Sequence, residues 1–242
     1  MKINFSFAWK TLIESWPMFW YGIKITLLFA LVGTLGGLII GLLVGAIRGV
    51  PSDPLDSPFI KGLKKVGKAI SGLYIWIFRG TPMMVQAVFL YYLLKPALQW
   101  TAIEAGLIII SVNTGAYMSE IIRSGIQSID KGQMEAAKAI GMSNFQMMMH
   151  IILPQAIQNT FPSIGNQLIV NIKDSSMLNV ISVTELFFQA SSVAGSNTKY
   201  IEVFLVTAIL YLILTTLATW LLDFVEKRMS QTNGSTSKDY CA

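Results

Sequence analysis

Gln133–Gln155 reads QMEAAKAIGMSNFQMMMHIILPQ, a polar, helix-favouring stretch between two very apolar ones. Glu135, Ala136 and Ala137 are followed after three residues by Gly141, and nine more separate Gly141 from Ile151-Ile152-Leu153-Pro154. Good helix formers predict a short helix over Glu135–Ile140. Gly141 allows a sharp change of direction because glycine tolerates positive φ. Ser143 is placed to cap a second helix, which restarts over Phe145–Ile152 and carries Met147, Met148 and Met149 in succession. Flexible methionine side chains suit a contact surface that must re-pack. Pro154 marks the next change of direction. The residue types alone leave an amphipathic loop and a protruding two-helix docking knob equally open.

The surroundings of this stretch are those of a membrane protein. Of 242 residues, 53% are hydrophobic and 13% charged, and long apolar runs recur, which excludes an ordinary soluble domain. The net charge of +5 is dispersed between apolar spans, as topology signals are, so no nucleic-acid partner is expected. Cys241 is the one cysteine and His150 the one histidine, so neither an internal disulfide nor a Cys/His metal cage is expected.

Residues 1–20 space Phe5, Trp9, Leu12 or Ile13, and Trp16 as an amphipathic helix does, with Lys10 and Glu14 on another face. This predicts an interfacial helix on the membrane lipid, not a secretory signal. Five spans follow in 21–228. Ile23–Ile47 carries Gly37, Gly41 and Gly45 every fourth residue, a smooth face for close helix packing. Arg48–Lys68 is a basic, proline-rich loop, with a short surface helix over Phe59–Lys68. Ala69–Leu94 is read as one long helix kinked at Arg79-Gly80-Thr81-Pro82. Lys95–Trp100 is an outer turn, and Ile103–Ile122 is the third span. Ile151–Ile172 is the fourth, interrupted by Pro162, Asn166, Gln167 and Asn171. Val180–Phe188 is a re-entrant or outer piece. Tyr200–Phe224 is the last span, before a disordered polar tail over 229–242.

Asn113, Tyr117 and Glu120 share one helix face. A carboxylate inside a span is costly unless paired or hydrated, so that face looks inward. Glu120 has two readings, a structural pair with Arg123 or a role at a substrate path. Lys173 and Asp174 have the same alternatives. No internal repeat supports an inverted-repeat carrier. No G-x-x-x-x-G-K-[ST] stretch and no nucleophile–base set occur, so neither ATP binding nor a catalytic residue is expected of this chain. With both long basic loops on one side, the positive-inside rule puts the N-terminus outside and the C-terminus and the knob in the cytoplasm.

The spacing E-A-A, three residues, G, nine residues, I-x-L-P resembles the coupling loop of ABC importer permeases. RGTP followed by VQ and YY, AYxxE at Ala116–Glu120, the SIDKGQ run at Ser128–Gln133 and LPQA at Leu153–Ala156 resemble the polar amino acid branch, over about Gly22–Glu226. Lys173-Asp174-Ser175-Ser176-Met177 departs from the branch's usual K-D-T-S-L.

The resemblance implies an all-α type I importer permease of the bacterial inner membrane: five transmembrane helices, an interfacial helix and cytoplasmic coupling helices over 128–153. It also implies an ABC ATPase dimer that binds ATP and Mg, a second permease copy or sister permease, and an extracellular amino acid-binding protein; the chain itself needs no cofactor. Glu135, Ala136, Ala137, Gly141 and Met147–Met149 would then dock the ATPase. Gln86, Asn113, Tyr117, Glu120, Asn166, Lys173, Asp174, Ser175 and Glu185 would line the substrate pathway. A channel or an ion-gradient-driven secondary carrier is the rival reading, and it leaves the cytoplasmic motif unexplained.

Overall fold

The computed structural model describes residues 4–49 and 57–238. The proline-rich segment before Ser57 and the last four residues lie outside them. Every element is helical, and among the described residues there is no strand. Ten α-helices follow one another: α1 Phe5–Glu14, α2 Trp16–Gly49, α3 Pro58–Gly80, α4 Met83–Leu98, α5 Ala102–Gln127, α6 Lys131–Ala139, α7 Asn144–Met147, α8 Leu153–Asp174, α9 Leu186–Asn197 and α10 Tyr200–Lys238. A π-helical turn, Met148–Ile152, joins α7 to α8, and a 3₁₀ stretch, Ser175–Ile181, follows α8.

Three helices are long and apolar enough to cross a membrane singly: α2, α5 and Tyr200–Met229 of α10. Two bent pairs bring the number to five. One is α3 with α4, bent by 112°, and the other is Asn144–Ile181 with α9, bent by 56°. The second span is therefore a sharply broken pair and not a kinked helix. Pro82 has no N–H to continue α3 and its ring disfavours helical geometry before it, so Thr81 is extended and α4 restarts at Met83.

Other boundaries move too. Phe59–Lys68 is the first half of α3, capped by Ser57, and not a separate surface helix. Pro96 lies inside α4, so the outer turn shrinks to Gln99–Thr101. Pro162 is carried within an unbroken α8. Val180–Phe188 is divided by Ser182, which is left-handed at φ 68°. α10 continues to Lys238, through residues read as disordered.

The chain forms two compact units. Leu31–Gln167 is held by the glycine stripe of α2. A Cβ on Gly37 would lie 2.5 Å from Thr114 Cγ2, and one on Gly45 would lie 2.9 Å from Ile122 Cβ. Gly41 meets Met118 and Gly49 meets Ile126 in the same register. The contacts rise together along both helices, so α2 and α5 run parallel, as spans one and three must. Tyr74 of α3 donates its hydroxyl to the Val112 carbonyl of α5 at 2.5 Å.

The other unit comprises residues up to Ala30 and from Leu168 onward. Its core is Phe19 and Ile23 of α2, Leu186 and Ala190 of α9, and Val203 and Val206 of α10. The N-terminal helix ends at Ser15 instead of Trp20, and Trp16–Trp20 belong to α2. Ala8 packs inward while Phe5, Trp9 and Ile13 form an exposed apolar stripe.

Candidate functional site

The knob is built by local signals. Asp130 caps α6, its side chain accepting from Gly132 N at 2.7 Å. The helix closes in a Schellman motif: Met142 N donates to Ala137 O at 3.0 Å and Gly141 N to Lys138 O at 3.0 Å. That motif needs a left-handed residue, and Gly141 supplies it at φ +80°. Ser143 then opens α7 with a capping box, its Oγ accepting from Gln146 N while Gln146 Oε1 accepts from Ser143 N. Pro154 falls in the first turn of α8, and the π-helical turn before it absorbs the clash that its ring would make with a carbonyl one turn back.

Burial divides the knob residues in a way the sequence does not show. Ala137, Met147 and Met148 are buried with Ile126, Ile129 and Ile152, and they bind the knob to the base of α5. Met147 and Met148 are thus core and not contact surface, as each is at most 4% exposed. The outward side presents Glu135, Ala136 and Gly141, with Met149 and two residues not singled out before, Ile140 (77% exposed) and Phe145 (74%). Their signal was legible: Ile140 is the C-cap of α6 and Phe145 lies in the first turn of α7, at the two ends that face the bend.

The residues read as pathway fall into both units. Gln86 and Asn113 are buried and spend their amides on the α3 break. Gln86 Nε2 donates to Phe78 O at 3.0 Å and lies 2.9 Å from Thr81 O and 2.8 Å from Thr81 Oγ1. Asn113 Nδ2 donates to Gln86 Oε1 at 2.9 Å. Their role is to satisfy carbonyls freed by the break, so they are removed from the substrate-facing set.

Tyr117 and Glu120 line a cleft of about 670 Å³ with Arg48 and Arg79. A second opening of about 400 Å³ shares Arg79, Tyr117 and Glu120 and extends to Arg123, Thr160 and Gln167. Arg48 donates to Glu120 Oε1, and Arg123 grips Oε2 from Nε at 3.0 Å and from Nη2 at 2.7 Å. Glu120 therefore pairs structurally with Arg123, and also with Arg48, which had been read only as a loop cation. The Arg79 guanidinium lies over the Tyr117 ring at 5.4 Å. Asn166 is exposed on α8, while its neighbour Gln167 lines the second opening.

In the other unit, Lys173 is exposed and Asp174 half-buried at the end of α8. Ser175 is buried, its hydroxyl donating to Ile172 O at 2.9 Å. Glu185 is fully buried and caps α9. It accepts from Phe187 N, Phe188 N and the Tyr211 hydroxyl, each at 2.8 Å. Those bonds make it the cap of α9. No group of three or more metal-ligating side chains occurs among the described residues.

Comparison with known proteins agrees with this architecture. Residues 57–231 match the family model "Binding-protein-dependent transport system inner membrane component". The chain is 34% identical over 226 residues to the glutamine transport system permease protein GlnP of Escherichia coli (strain K12), covering 92% of this chain and 98% of that one. It is 35% identical to the probable amino-acid permease protein YxeN of Bacillus subtilis (strain 168), covering 92% and 96%. Among solved structures, an amino acid ABC transporter with histidines superposes with a TM-score of 0.78 at 31% identity, over 94% of this chain and 100% of that one. The inward-facing MetNI methionine ABC transporter, at 21% identity, covering 87% and 95%, shares the fold with a TM-score of 0.74. The chain belongs to the binding-protein-dependent transport system inner membrane component family, as an ABC importer permease of the polar amino acid branch.

Proposed function

We propose that this chain forms the translocation pathway of an ATP-driven amino acid importer and couples it to a separate ATPase through the α6–α7 knob. The observation that carries the reading is the knob itself. Its buried side is fastened to the base of α5, and its outward side offers Ile140, Phe145 and Met149. A rigid bend with an apolar tip fits a groove on a partner that must transmit force. Glu135 and Ala136 add a polar and a small contact beside it. The ATPase, as a dimer, binds ATP and Mg; the chain is not an enzyme and needs no cofactor.

A second copy or a sister permease completes the pore, and an extracellular binding protein delivers the amino acid. The relatives' names point to glutamine or a similar polar amino acid. The chain sits in the inner membrane with its N-terminus outside and its C-terminus and knob in the cytoplasm, because the basic loops lie on the knob's side. Uptake of labelled glutamine into proteoliposomes holding the permease, its ATPase and the binding protein tests the reading. ATP-dependent accumulation is expected. Accumulation driven by an ion gradient without ATP would favour the carrier reading instead.

A further inference from the structure

We propose that the cleft around Arg79 and Tyr117 is a carboxylate site, which takes neutral or acidic amino acids by their carboxylates and disfavours cationic ones. This rests on the importer reading above and deepens it to a substrate class.

Charge is the first ground. The two openings that share Arg79, Tyr117 and Glu120 hold three guanidinium groups, those of Arg48, Arg79 and Arg123, against the single carboxylate of Glu120. A cleft lined by one sign of charge concentrates ligands of the other sign.

Geometry is the second. Both carboxylate oxygens of Glu120 are taken, Oε1 by Arg48 and Oε2 by Arg123. Its charge is thus already matched by two guanidinium groups, which weakens its pull on a substrate's amino group. Arg48 and Arg123 are in turn held by Glu120. They are also fixed relative to each other, because α2 and α5 are locked along the glycine stripe. Arg79 differs. It comes from the last turn of α3, is exposed in the cleft, and stands over the Tyr117 ring with its guanidinium carbon 5.4 Å from the ring centre. A guanidinium so held suits bidentate recognition of a carboxylate.

Among the pathway carboxylates, Glu185 is spent as the α9 cap, which leaves Asp174 in the other unit. Of the three pathway acids, Glu120 and Glu185 are thus engaged by groups of the chain itself.

The test is equilibrium binding of labelled glutamate, glutamine and arginine to the purified permease–ATPase complex without binding protein. Wild type, Arg79→Ala and Arg79→Lys are compared, with phospholipid phosphate measured in each. Glutamate and glutamine should bind about tenfold more tightly than arginine, and Arg79→Ala should weaken both about tenfold. Arg79→Lys keeps the charge but not the planar fork, so it should weaken both by an intermediate, severalfold factor while the complex stays assembled.

Arginine binding as tightly as glutamine, or unchanged glutamine affinity in Arg79→Ala, overturns the proposal. Loss of bound phospholipid in Arg79→Ala without loss of amino acid binding also overturns it and assigns the cleft to a headgroup. If the wild-type complex with its binding protein accumulates no amino acid on ATP, the importer reading fails and the carboxylate site falls with it. Intact ATP-driven uptake with an Arg79-independent affinity sinks the carboxylate site alone.

Discussion

Asn113 of α5 donates to Gln86 of α4 at 2.9 Å, and Gln86 donates in turn to the Phe78 carbonyl at the end of α3. The relay closes the break that Pro82 opens, with amides from two other turns of chain replacing the lost helix bonds. In an apolar surround an unsatisfied carbonyl is expensive, so replacing Gln86 by Leu should cost about 1–3 kcal/mol. Asn113→Leu should cost less, since it strands only the Gln86 oxygen. Thermal unfolding in detergent checks both, and glutamine affinity should fall only as far as stability does.

The glycine stripe predicts opposite signs at two glycines of neighbouring helices. A methyl on Gly37 meets Thr114 and the backbone of Gly115, so Gly37→Ala should destabilise by about 1–3 kcal/mol through overpacking. Gly62, in the interior of α3 with nothing within 4 Å, should tolerate the same change and gain roughly 0.5–1 kcal/mol. Melting temperatures of the two variants should move in opposite directions.

The knob separates folding from docking. Met147→Ala should cost about 2–5 kcal/mol of stability because it empties a buried site. Phe145→Ala should leave the melting temperature of the permease nearly unchanged while weakening ATPase retention, since its ring is mostly exposed. Gel filtration and differential scanning of the isolated subunit, beside ATPase recovery, distinguish the two.

Buried Glu185 and half-buried Tyr211 form a hydrogen-bonded pair that ties the start of α9 to α10. Glu185→Ala takes the acceptor from two backbone N–H groups and a hydroxyl; each group left unpaired costs about 1–3 kcal/mol, so this should be the larger loss. Tyr211→Phe removes one side-chain hydrogen bond and should cost about 0.5–1.5 kcal/mol. The double variant should lose less than the sum, as a double-mutant cycle on melting curves will show.

What was legible in the sequence is what local chemistry decides. Gly141 and Ser143 announce the bend and the cap because their backbone preferences act within four residues. The stripe of Gly37, Gly41 and Gly45 announces close packing because period four is a helix face. The apolar runs announce the spans. What stayed hidden depends on distant partners or on broken periodicity. Three consecutive methionines look equivalent until Ile126 and Ile129 cover two of them. Arg48 reads as a loop cation because Glu120 lies 72 residues away. Glu185 reads as a pathway acid because its hydroxyl partner sits on another helix. The 112° turn after Gly80 looks like a kink, since proline signals a break but not its angle.

Central to the proposed function is the docking of an ATPase by the knob. The most direct measurement is affinity purification of the tagged permease in mild detergent, for wild type and Phe145→Asp, with quantitative mass spectrometry of what is retained. The account predicts a stoichiometric P-loop ATPase with wild type and its loss with Phe145→Asp, while the permease itself stays folded. Equal ATPase recovery from both, or no ATPase with wild type under conditions that preserve other membrane complexes, would contradict it.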